Sequence, residues 1–152
     1  MIVDVQIDAT MPELADRDMA SVVSRISEIM LDSIRRKQFG AGGSPERWAP
    51  LAKGGASYLF KTGALLQSLE ATTGMDPDAF WAKVSTTGGL PYAGIHQFGG
   101  YAGKNLSAYI PARPYMVLTD EDVDLITKEA VGMIVEILNA TPTKGVSKAN
   151  EF

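Results

Sequence analysis

A chain of 152 residues, 45% hydrophobic and without cysteine, has the size of one soluble domain held by its core alone, with no disulfide frame, thiolate nucleophile or zinc knuckle. One histidine excludes a multi-His metal site, and a formal charge of −4 speaks against coating nucleic acid by bulk charge. No apolar run nears the roughly 18 residues that span a bilayer, and the N-terminal MIVDVQID carries acid where a secretion signal carries base, so membrane anchoring and export are not expected.

In chain order, Ile2 to Asp8 alternates, with Val3, Val5 and Ile7 on one face, and predicts a half-buried strand. From Ala15 to Gln38, Met19, Val22, Val23, Ile26, Ile29, Met30 and Ile34 recur at threes and fours, the stripe of a long helix. Asp16 and Asp18 suit its positive start, Arg35, Arg36 and Lys37 its negative end, and Gly40 its stop. Leu65, Leu66 and Leu69 predict a shorter helix over Thr62–Ala71. Phe80, Ala82 and Val84 alternate with Trp81, Lys83 and Ser85, a strand over Ala79–Thr86 that ends at Gly88-Gly89. Tyr115 to Leu118 reads as another strand. Thr119 before Asp120, Glu121 and Asp122 announces a second long helix, with Val123, Ile126, Ala130, Met133 and Ile137 as its stripe, widened by Ile134 and Leu138.

These elements predict an α+β fold: a small antiparallel or mixed sheet packed against two long helices and one shorter helix. Residues 1–139 form the single expected domain, and 140–152, rich in Pro, Gly, Ser and Lys, a flexible tail. Charge is uneven along it. Residues 1–34 hold two basic and seven acidic side chains, residues 35–113 nine and four, residues 114–152 three and seven. Thirteen of the 15 glycines fall in the basic middle. Solvated faces that balance within one fold explain this, as do subunits that meet basic side to acidic side.

Catalytic signatures are missing. Gly99 to Asn105 is one residue short of a phosphate-binding loop and has Asn where the hydroxyl belongs. No G-x-S-x-G occurs, and Lys61-Thr62-Gly63 has no S-x-x-K partner. The acids at 120–124 suit a helix dipole. His96 alone could serve acid–base chemistry, yet its neighbours are aromatic and small, which fits a packed turn or a subunit contact. Arg35-Arg36-Lys37 and the Arg47-Trp48 pair do not resemble a base-reading helix. A ring of such subunits could still line a DNA passage with few contacts each, Arg35, Arg36 and Lys37 among them.

The stretch Ile110-Pro111-Ala112-Arg113-Pro114-Tyr115-Met116 stands apart: two prolines three residues apart hold the chain extended and remove two amide donors. With Ile95-His96-Gln97-Phe98-Gly99-Gly100 before it, this resembles the signature of the Mu-like phage virion morphogenesis proteins, also called tail completion proteins. Phe39-Gly40 through Trp48-Ala49-Pro50-Leu51, the Leu59-x-x-Thr62-Gly63-x-Leu65-x-x-Ser68 run, Tyr92-Ala93 and Leu118-Thr119-Asp120-Glu121-Asp122 follow in the family's order.

The resemblance implies a structural virion protein, not an enzyme and without cofactor or metal. It would be assembled in the host cytoplasm and act late, at the junction of tail tube and head connector. Its implied partners are itself, as a ring, commonly sixfold in such proteins, the adjoining tube, terminator and connector proteins, and the packaged DNA by proximity. His96, Gln97, Phe98, Gly99, Pro111, Arg113, Pro114 and Tyr115 are then expected at a subunit interface or in its frame, with Arg113 either its anchor or paired within its own chain, and His96, Gln97 and Phe98 bracing its strand. Alternatives are a tail terminator that caps the tube, a small hydrolase using His96, and a DNA-binding module. The glycine-rich stretches 40–60 and 99–110 are read as loops that could order only on a partner.

Overall fold

The computed structural model describes residues 2–7, 16–39 and 63–140. They form β1 (Ile2–Ile7), α1 (Asp16–Phe39), the single turn α2 (Ala64–Gln67), β2 (Leu69–Asp76), β3 (Ala79–Thr86), α3 (Pro91–Phe98), β4 (Gly100–Ala102), β5 (Ala108–Ile110) and α4 (Asp120–Ala140). The predicted stop at Gly40, the Arg47-Trp48 pair, the first glycine-rich stretch, the Lys37 side chain and the segment after Ala140 lie outside the described residues.

The larger sheet has the order β1-β3-β2 and is antiparallel throughout. Ile7 pairs with Phe80, Val5 with Ala82 and Val3 with Val84, so the two alternating runs meet in register, and Val5, Phe80, Ala82 and Val84 join the core on one face. On that face lies α1, whose stripe from Met19 to Ile34 is buried at every predicted position. Each such side chain contributes about 1.5–3 kcal/mol of burial. Gly74 sits opposite Trp81 on the other face, where a Cβ would come within 2.2 Å of the indole. Glycine there lets the ring lie flat across the strand, with the Lys83 ammonium 5.2 Å from its centre.

Three expectations need correction. The helix expected over Thr62–Ala71 is one turn among the described residues. The Ser68 hydroxyl donates to the Leu65 carbonyl, and Leu69 opens β2, the partner that fills the second edge of β3. Leucines at 65, 66 and 69 fit both periods, and the β-branched Thr72 and Thr73 that follow decide for strand. Tyr115–Leu118 is not a strand: the amides of Tyr115 and Met116 are taken by the Gln97 side chain rather than by a neighbouring strand. Val123 is 50% exposed, and Asp122, 3% exposed, takes the buried place one position earlier.

Asp122 secures the start of α4. Its carboxylate accepts from the Thr119 amide and hydroxyl, both at 2.8 Å, and from the Ser33 hydroxyl on α1, while its own amide reaches the Thr119 hydroxyl. This is a capping box with one more donor from the neighbouring helix. Arg25 on α1 meets Glu129 on α4 at 3.5 Å further along.

Candidate functional site

The two halves of the motif close on each other. Pro91 is pre-set for the first turn of α3, and Gly99 ends the helix with its amide on the Ile95 carbonyl at 2.8 Å. Gly99 adopts φ 72°, ψ 177°, a conformation open essentially to glycine, and a Cβ there would lie 2.8 Å from the Ala112 nitrogen. The chain then runs out along β4, turns through 104–106 and returns along β5. This hairpin replaces the loop expected at 99–110.

After β5 the extended Pro111–Tyr115 segment passes back along α3. Arg113 donates its amide to the His96 carbonyl at 2.6 Å. The Gln97 side-chain oxygen accepts from the amides of Tyr115 at 2.8 Å and Met116 at 3.0 Å. The Tyr115 hydroxyl donates to the Ala93 carbonyl at 3.3 Å. Pro114 falls between these donors and Pro111 before them, so neither removes an amide that this bracing uses. Burial first, then Tyr92, pushes the Tyr115 hydroxyl up to about 12, which keeps it a donor across the neutral range.

The sequence-predicted residues therefore divide. Gln97 braces the returning segment through its side chain and His96 through its carbonyl. Phe98, expected to brace, is 73% exposed, and Arg113, expected either to anchor a subunit contact or to pair within its own chain, is 6% exposed in the single chain. The His96 ring is part-buried, edge-on to Tyr92 at 5.9 Å, with Nδ1 buried and without a hydrogen-bond partner among the described residues. Burial, then the Arg113 charge, lowers its pKa, so it is neutral at pH 7. Arg35 donates to the Leu69 carbonyl at 3.2 Å and Arg36 pairs with Asp32, so both have partners in their own chain.

Sequence reasoning missed the hairpin face. Tyr101 and Tyr109 stand directly opposite across β4 and β5, rings 5.3 Å apart and edge-on, each 63% exposed. The opposite face is small and rests on α3, with Gly100 against the Ile95 side chain. Tyr-x-x-x-x-x-x-x-Tyr flanking a Gly-Lys-Asn turn is a hairpin signal, obscured by strands of only three residues. Among the described residues no three His, Asp or Glu come together as metal ligands, and no helix is long and apolar enough to cross a membrane.

Comparison with known proteins agrees with this motif. A protein described as Mu-like prophage FluMu G protein 2, from Haemophilus influenzae, is 36% identical over 92 residues, which is 60% of this chain and 62% of that protein. The aligned stretch thus spans less than two thirds of that relative. No solved structure gives a significant match. The phage virion morphogenesis family matches residues 4–136, nearly the whole chain, and the protein belongs to that family.

Proposed function

We propose that this virion-associated protein is a structural subunit that completes the tail of a bacteriophage and joins it to the head, working as a ring around the DNA channel. The family match across residues 4–136 carries this reading. The site supports it: the motif spends its polar groups on bracing a hairpin and leaves four large apolar side chains, Phe98, Tyr101, Leu106 and Tyr109, more than 60% exposed. Such a patch fits protein contact better than catalysis. The reading includes no chemical step: the part-buried His96 has Arg113, not an acid, as its charged neighbour among the described residues. The tail tube, its terminator and the head connector are the proposed neighbours, and DNA passes without sequence-specific contact.

Electron microscopy of particles made without this protein tests the role. Filled heads beside free tails of normal length support completion. Overlong tails move the role to terminator, and intact infectious particles overturn it.

A further inference from the structure

The strongest unassigned features are a knob and a hollow on the same chain. The knob is the tyrosine face of the β4–β5 hairpin, which packs chiefly on itself and α3. At its tip Asn105 and Leu106 take positive φ, 58° and 54°, and Leu106 is 65% exposed. A leucine so held is costly, and the cost is spent on presenting an apolar side chain to solvent. The hollow, about 320 Å³, lies where the first turns of α1 diverge from the far end of β2, between Arg17, Ala20, Val23, Thr73, Met75 and Phe80. Thr73 and Met75 are paired with Ala82 and Phe80 on the helix-facing side of the sheet, yet no part of α1 covers Met75, which is 57% exposed.

Charge distinguishes the two features. From residue 79 to 119 the chain has no acid, and Lys104 stands at the hairpin tip. Asp16 lines the hollow beside Arg17, which pairs with Asp18 at 3.7 Å, and Asp76 and Asp78 follow Met75 in sequence at the β2–β3 turn. A basic apolar knob and an acid-rimmed apolar hollow at different places on one surface are complementary between copies. Such a contact is heterologous, and it generates a ring when its rotation closes.

We infer that the Tyr101–Tyr109 face of one copy seats in the α1–β2 hollow of the next. This rests on the ring reading above and supplies its contact. Each exposed aromatic buries about 150–250 Å², so the two tyrosines supply about half of the roughly 800 Å² per partner of a standard interface. The acids at the hollow give register and steer the lysine-tipped hairpin more than they add affinity.

The absence of native cysteine makes cross-linking a clean test. In the full chain carrying Met75→Cys with Tyr109→Cys, mild oxidation should give a ladder of covalent oligomers that reductant collapses. Either substitution alone should give no ladder. Both replace exposed side chains, and an unchanged melting temperature verifies the fold. As a second measurement, Tyr101→Ser/Tyr109→Ser and Met75→Glu should each be monomeric by sedimentation, whereas their mixture should stop at a one-to-one pair. A wild-type chain that assembles without yielding the ladder overturns this contact and leaves the ring reading standing. Dimers from Tyr109→Cys alone would mean that tyrosine faces meet each other, which also overturns it. A wild-type chain that stays monomeric overturns both.

Discussion

One side-chain oxygen, on Gln97, accepts the two consecutive backbone amides of Tyr115 and Met116. It does the work of a strand neighbour at a place where no strand runs. Gln97→Ala should strand both donors in a part-buried setting, at a cost of about 2–4 kcal/mol. Urea unfolding should show a lower midpoint with an unchanged slope, and an unchanged midpoint would refute the brace.

At Gly99 backbone and space act together. Gly99→Ala should cost about 1–3 kcal/mol for the backbone conformation alone, and the contact with Ala112 adds to it. Proteolysis should then cut within 100–110 before the rest of the domain opens. Resistance equal to wild type would show that the junction tolerates a side chain.

Asp122→Ala removes the cap of α4 and the bond from Ser33. We expect a loss of about 2–3 kcal/mol, which corresponds to a fall in melting temperature of several degrees for a domain of this size. Ser33→Ala should lose only part of this, and a double variant no worse than Asp122→Ala would show that the two act through one bond.

The single histidine gives a readable pH dependence. Its folded pKa lies below the usual 6.5, so below that pH the unfolded chain binds a proton that the folded chain resists. The stability tied to neutral His96 is therefore full above pH 6.5 and is lost as pH falls toward the folded value. His96→Gln should flatten this limb of the stability curve. A limb that survives the substitution must come from carboxylates instead.

The sequence was most legible where one period ran unbroken. The stripe of α1 and the alternation of β3 were readable to the residue, because each has one buried face and nothing competes with it. Leu65–Leu69 was not legible, since three leucines fit a helix and a turn-plus-strand equally until β3 is known to need a second partner. Asp122 looked like one of four dipole acids, and only the crossing of α1 with its Ser33 singles it out. The motif itself was legible as a signature but not as geometry. Phe98 is turned outward by α3, and of the two readings open for Arg113 its burial in the single chain fits the intrachain one.

The central position of β3 sets an order in time. Ile7 pairs with Phe80, 73 positions later, and no other strand of the larger sheet offers β1 a partner. At a synthesis rate of about 5–20 residues per second, the first strand waits roughly 4–15 s on the ribosome before its neighbour exists. The apolar stripe of α1 waits with it. β2 and β3, joined by a two-residue turn, can pair as soon as they emerge and then capture the older strand. While it waits, the stripe is flanked by charge of one sign, seven acids against two bases in residues 1–34, and like charge opposes association between nascent chains.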